Sequence, residues 1–458
     1  MSPQPIRAVF TEGSVLRHVV VMTLTSGIGL MAIFLIDLMS MFYVSLAHRD
    51  AWRAAVSLTS KVLFFPFALN MGMMVGIGTV VSIAIGRHDR DLARRSACNG
   101  LLLTGGLGLL VSLAALPFRT EILGLFGAEG EALDAASRLL LMTMPVNVLL
   151  AVGMGCASIL RGAGDPGRAM LVTLAGGVAT AIADPLFIFG LNQGVDGIGH
   201  AIVVSRIVFV LVGLWGTVRV HDLVARPRLP RTVGEISPIA AIALPAMVTN
   251  LALPFADWYV TRTIWQFGVA ASAAAGVYDR IMPFAFSLVF ALTTSVGPIA
   301  GQNLGAGLYG RVRLTFLHAV LVAAIYSLGV WMIVSAAAPA LATLFGLSGT
   351  TGAFFEFLCR YATLAWVFVG LLLVANTMFN TLGRAHVSTL FNWGRATLGT
   401  MPFVWFGARS GGAEFAMMGI AVAAMVFALA ALAVAGRYVG RLDREMPQHT
   451  ADAILRVT

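Results

Sequence analysis

Ala183-Asp184-Pro185-Leu186-Phe187-Ile188-Phe189-Gly190 closes an apolar stretch that begins near Leu171, and it sets a carboxylate beside a proline inside that stretch. Near the middle of a bilayer an aspartate costs about 2.5–3.5 kcal/mol, so it is kept where it lines a cavity or binds something. Pro185 cannot donate a hydrogen bond to the carbonyl of Ala181, and it biases Asp184 away from ordinary helical geometry. The stretch therefore predicts a kinked helix with the acid at the kink, packed against protein or facing water.

The rest of the chain fits a membrane setting. Of its 458 residues 59% are hydrophobic and 11% charged, and the mean hydropathy is +0.89, which excludes an ordinary soluble domain. The first apolar run, residues 15–47, is too long for the core of a signal peptide and predicts a retained span. Cys98, Cys156 and Cys359 are odd in number and scattered, so they suggest neither a disulfide framework nor a metal site. A net charge of +9 would suggest nucleic acid as the partner of a soluble domain. Here the arginines sit in short loops between apolar runs; the partner they imply is the lipid bilayer, with no nucleic acid.

With about 20 residues needed to cross the hydrocarbon, twelve helices are predicted, near residues 15–47, 53–85, 93–116, 137–161, 168–190, 197–219, 238–267, 270–302, 312–338, 354–381, 385–407 and 415–438. Nineteen loop and tail cations fall on one side of this arrangement and five on the other. By the positive-inside rule both termini are cytoplasmic, in a multi-pass protein of the plasma (inner) membrane. Arg360 and Arg395 lie within about two turns of predicted helix ends, where such side chains snorkel to the interface.

Slid against itself by 219 residues, the chain aligns Ala54-Ala55 with Ala273-Ala274, Lys61 with Arg280, Gly86 with Gly305, Arg94 with Arg313, and Gly164 with Gly383. With short slips, Pro66-Phe67-Ala68 recurs at Pro283 and Gly197-Ile198 at Gly419. Six spans per copy return the chain to its starting side. The expected fold is therefore an all-α integral membrane protein, with twelve transmembrane helices as two parallel six-helix repeats around a central cleft. Its parts are an N-terminal lobe (1–220), a basic, proline-rich cytoplasmic linker (221–236), a C-terminal lobe (237–440) and a cytoplasmic tail (441–458). Two lobes in one chain suit rocking between inward-open and outward-open states, and so a transporter. An intramembrane enzyme is not expected, since the eight histidines are dispersed and no serine or cysteine has a nearby base.

The whole chain resembles the multidrug and toxic compound extrusion (MATE) family. The resemblance rests on Leu160-Arg161-Gly162-Ala163-Gly164-Asp165-Pro166, Asp184-Pro185-Leu186-Phe187-Ile188-Phe189-Gly190 and Gly197-Ile198-Gly199-His200-Ala201 in the first half. In the second half it rests on Phe267-Gly268, Ala273-Ala274, Arg280-Ile281 and Gly301-Gln302-Asn303-Leu304-Gly305-Ala306-Gly307. It implies a secondary antiporter that exports organic, often cationic or amphipathic, compounds in exchange for H+, possibly Na+, without a cofactor or bound metal, and working as a monomer. In proton-coupled members, acids in helices 1 and 5 carry the proton. Asp184 falls on the helix 5 position. In helix 1 the family register puts Ser40 at the acid position and leaves Asp37 one turn away, so Asp37 is the second coupling candidate. The plain alternative is a structural acid paired with Arg206 or Lys61. The few acids of the second lobe weigh toward H+ over Na+. A lipid-linked precursor flippase or polysaccharide exporter of related fold is the competing reading.

Other residues take lesser parts. Thr180, Asn147, Asn250, Asp257 and Asn376 are candidates for the substrate cleft, although polar residues on packed spans as often bond helix to helix. Lys61, Arg206, Asp279 and Arg280 are read as charge anchors. Pro185, Gly164 and Gly305 are read as hinge or turn positions, and Met142, Met144, Met154, Phe284 and Phe286 as core or lipid-facing packing with a pliable cleft wall as the alternative. Phe403 stands where Asp184 would recur, so the two lobes are expected to work asymmetrically.

Overall fold

The computed structural model describes residues 8–46, 50–224 and 229–442, with the backbone alone at helical positions 33–34, 36–39, 41–42, 44–46, 50 and 229–235. Among the described residues there are helices and turns and no strand. An apolar solvent leaves a single chain segment only its own backbone to bond with, and the helix meets that demand.

α1 is Val15–Leu46, α2 Asp50–Gly86 and α3 Arg90–Ala115. α4 has two segments, Gly130–Thr143 and Asn147–Gly162, bent by 51°. α5 (Pro166–Pro185) and α6 (Val195–Leu214) run on into π-helical turns at Leu186–Gly190 and Trp215–Val220. α7 is Leu229–Trp265, α8 joins Val269–Ala285 to Ser287–Gly305 across a 42° bend, and α9 is Tyr309–Leu344. α10 extends from Gly349 to Thr381 through a π turn at Leu358–Ala362. The stretch Ala385–Gly440 leaves helical geometry at Gly411 and Gly412, which divides it into α11 (385–410) and α12 (413–440). These are the twelve expected spans.

The internal repeat is written into the backbone. At the 219-residue offset α3 and α9 start at Arg90 and Tyr309, α5 and α11 at Pro166 and Ala385, and α2 and α8 end at Gly86 and Gly305. Left-handed residues recur with it: His88 with Gly307, Gly127 with Gly346, Gly130 with Gly349, and Gly164 with Gly383. Gly164 thus occupies the turn position read for it. Gly305 does not: it is the last residue of its helix segment, and the left-handed turn falls two residues later, at Gly307 (φ 73°). The basic, proline-rich stretch also differs from its reading, because α7 begins inside it at Leu229 with Pro230 in the first turn, where no amide hydrogen is needed.

Two compact units emerge. Of the described residues, 8–9, 28–224 and 229–247 group in the first, and 10–27 with 248–442 in the second. In the first unit glycines let helices approach closely. A methyl on Gly72 would lie 2.5 Å from the Met247 backbone nitrogen, and one on Gly153 2.2 Å from the Phe209 ring. Asp165 caps α5, and burial alone would raise its pKa. The His221 ring, 2.9 Å away, the Arg168 backbone amide at 3.0 Å and the Arg168 guanidinium outweigh that and hold the carboxyl well below the usual carboxylate range. The next residue, Asp222, accepts from Arg90 and Arg94, each at 3.0 Å, so the chain leaving α6 is pinned to the starts of α3 and α5.

In the second unit Met282, Phe286, Phe355 and Leu358 lie at the centre of a fully buried core. The unit also holds an N-terminal arm. Gln302 Oε1 accepts the Phe10 amide at 2.9 Å, Asn303 Nδ2 donates to the Phe10 carbonyl, and Arg311 donates to the carbonyls of Phe10, Glu12 and Gly13 at 2.8–3.1 Å. The Gln-Asn pair of the glycine-rich motif therefore grips chain besides ending a helix.

Candidate functional site

In the first unit Asp184 lies one residue before Pro185, at the point where α5 passes into its π turn. Where a kink was expected the helix runs on as a π turn: the amide missing at Pro185 removes one rung of the helical ladder, and the wider turn lets Leu191 N reach Leu186 O at 2.8 Å. The π turn is supported from α6. A methyl on Gly197 would lie 2.8–3.0 Å from the backbone of Phe187 and Ile188, so only glycine lets α6 start there.

The Asp184 side chain is 1% exposed. Its hydrogen-bond partner is the hydroxyl of Ser40, which donates to Oδ2 in a short contact. Among the described residues no cation pairs with it. Lys61 is exposed, and no ion pair joins Asp184 to Arg206. The register of helix 1 singled out Ser40 as the position of the family acid, and that side chain meets Asp184 here. Asp37 lies in α1, and its side chain is outside the described set. A buried carboxylate with one hydroxyl donor carries a desolvation cost, which a proton, a cation or water can meet.

The remaining first-unit candidates bond to a neighbouring helix or to their own, and the buried Asn147 Nδ2 has no partner. Asn147 accepts from Asn70 Nδ2 at 3.0 Å, joining α4 to α2, and Thr180 bonds back to the Gly176 carbonyl at 3.1 Å. Met144 and Met154 are core residues, as is Phe286 of the second unit.

In the second unit Asp257 on α7 and Asp279 and Arg280 on α8 are exposed, and Asn250 is half-buried. Asp257 follows Ala256, which packs with Ala396, the residue after Arg395. Arg395 corrects its reading as a snorkelling residue. It is 7% exposed, at the first position of the π turn Arg395–Thr400, with Nε buried and without a hydrogen-bond partner. Counting turns to the helix end missed it; the polar spacing Ser388, Asn392, Arg395 on one helical face was the available sign. Arg360 does reach outward, and it pairs with Glu356 at 2.9 Å. Asn376 is 5% exposed, and both ends of its amide lack partners. Among the described residues no group of three His, Cys, Asp or Glu side chains could hold a metal ion.

Twelve apolar helices in two repeats, with unpaired polar groups buried on broken spans, define an integral-membrane transport protein. Residues 16–186 and 245–406 match the MatE family model, and the chain belongs to this family of multidrug efflux transporters. It is 27% identical over 398 residues to a FAD transporter of Shewanella oneidensis, covering 84% of this chain and 86% of that one. It is 25% identical over 332 residues to the multidrug export protein MepA of Staphylococcus aureus, covering 71% of each. In fold it is similar to a MOP superfamily transporter of Pyrococcus furiosus whose binding pocket is described as reversed in polarity (TM-score 0.89, 21% identity, 97% of this chain and 100% of that one). It is also similar to the Vibrio cholerae MATE transporter VcmN (TM-score 0.88, 21% identity, 94% and 98%).

Proposed function

We propose that the chain is a proton-coupled antiporter that exports organic cationic or amphipathic compounds across the inner membrane, with both termini in the cytoplasm. The observation that carries this reading is Asp184: a carboxyl group 1% exposed, on a proline-broken span, held by the Ser40 hydroxyl and by no described cation. Such a group exchanges a proton when its few partners shift. Coupling then follows from population shift, since the proton drives export by as much as its affinity differs between the inward-open and outward-open states. An organic cation competing for the same negative charge completes the exchange.

The test is made in proteoliposomes, with a pH gradient and a Na+ gradient imposed separately and efflux of a cationic dye followed. The pH gradient alone should drive efflux, and Asp184→Asn should abolish it. Equal transport by Asp184→Asn and the parent would remove Asp184 from the mechanism, and efflux driven only by Na+ would replace the coupling ion.

A further inference from the structure

In the second unit a groove of about 270 Å3 runs between the first half of α1 and α9, over α8. Thr23 and Leu24 line one side, Val322 and Ile325 the other, and Leu288 and Leu292 the base. Leu292 is 1% exposed, whereas Leu24 and Ile325 are 50% and 64% exposed, so the groove opens sideways. Ile325 belongs to a stripe with Leu314, Leu317, Leu321 and Leu328, all exposed along α9. On a spanning helix such a stripe faces hydrocarbon. Drug-sized ligands take pockets of about 300–1,000 Å3; this groove is smaller and open along its length, which suits a single acyl chain and not a compact organic substrate.

Its two ends differ in chemistry. Arg311 donates to the carbonyls of Phe10, Glu12 and Gly13, which holds the start of α1 beside the start of α9. At this end Arg17 lies two turns ahead of Leu24 on the same face of α1, exposed and in no ion pair among the described residues. In residues 8–18 and 309–318 the cations Arg17, Arg311 and Arg313 outnumber the one acid, Glu12. The other end is closed where α1 meets α8: a methyl on Gly27 would lie 3.1 Å from Leu288 Cγ. Between the ends the walls are apolar except for Tyr326 and Thr23. The Tyr326 hydroxyl donates to the Ala285 carbonyl at 2.6 Å. Thr23 is 2% exposed, and its hydroxyl has no hydrogen-bond partner among the described residues. A buried hydroxyl left open in an apolar groove is satisfied by an acceptor that arrives with a ligand.

We propose that this groove seats one anionic glycerophospholipid. An acyl chain lies along Leu24, Leu288 and Ile325, an ester carbonyl accepts from Thr23, and the phosphate meets Arg17, about 9 Å further along the helix axis. A zwitterionic headgroup brings its own cation to compete with Arg17 for the phosphate; an anionic one does not. Nothing in this depends on the substrate or the coupling ion. Native mass spectrometry of the purified full chain in detergent provides the test, with phosphatidylglycerol and phosphatidylcholine of identical acyl chains as probes. The parent should retain phosphatidylglycerol more tightly. Arg17→Gln should weaken it about fivefold, the worth of one basic residue at an anionic lipid surface, and leave phosphatidylcholine within about twofold. Thr23→Val should weaken both lipids alike, about fivefold, the net of one hydrogen bond. Val322→Phe fills the groove and should remove most binding of both; should it fail to fold, Thr23→Val reads the groove alone. Arg219, exposed and in no ion pair among the described residues of the first unit, supplies the charge control, and Arg219→Gln should bind as the parent does. A parent that holds the two lipids equally, or a loss in Arg219→Gln equal to that in Arg17→Gln, overturns the proposal. So does lipid binding unchanged in both Thr23→Val and Val322→Phe.

Discussion

Ser40 and Asp184 are 144 positions apart and share one hydrogen bond, so each sets what the other can do. Removing the hydroxyl leaves the acid with no described donor. Ser40→Ala should therefore slow proton-driven dye efflux about tenfold, the scale of a hydrogen bond to a charged group, while Ser40→Thr keeps most of the rate. An unchanged rate in Ser40→Ala would show that the bond has no part in turnover. Asp184 was legible in the sequence because an acid in an apolar helix has few innocent explanations. Ser40 was legible only through the register of a family motif, since a serine in a span is unremarkable alone. Arg395 was not legible by distance from a helix end, because burial depends on which neighbours cover a face. Here these are α7, whose Val248 carbonyl accepts from Trp393, and α12, whose Phe427 ring lies against Gly394 and Gly399.

At the scale of elements, the span boundaries follow from apolar length, and turns fall where glycine or a capping aspartate sits. The π turns were hidden from the sequence, because in a span that is apolar on all sides the change of face caused by an extra residue leaves no mark. Gly197 shows what depends on one of them. Gly197→Ala forces α6 away from the Phe187–Ile188 backbone and should destabilise the solubilised protein by about 1–3 kcal/mol, the usual cost of overpacking, read as a lower Tm. Gly106→Ala is the control. No atom outside its own helix neighbourhood lies within 4 Å of the added methyl, so a helix former there should hold or raise the Tm. Equal responses of the two variants would deny the close approach its importance. The second unit repeats the device, with Gly419 of α12 set against the Phe403 backbone of α11, where a methyl would come within 2.5 Å. Its one-to-one match with Gly197 was visible in the sequence as a repeat with a short slip.

For the whole molecule, the offset of 219 residues carries helix starts and left-handed turns together, so the two halves keep the same loop lengths where it holds. The positive-inside count then becomes a two-sided test. A cysteine introduced at His88 should react with an impermeant thiol reagent from the cytoplasmic face only, and one at Ser348 from the opposite face only, after the three native cysteines are replaced. The clamp around Asp165 gives a pH dependence of definite sign. Its carboxyl is held below the usual range, so the stabilisation is fully present above the unfolded value of about 4 and is lost as the pH falls through the folded one. Asp165→Asn should thus have a lower Tm than the parent at pH 7, with the gap closing in acid; a gap that widens in acid would contradict the clamp. The arm gripped by Arg311, Gln302 and Asn303 bears on how the protein is handled at the bench. An affinity handle fused ahead of Phe10 would tug on five hydrogen bonds that anchor the arm to α8 and α9. Purification and labelling schemes that leave this end unburdened will report the native transporter.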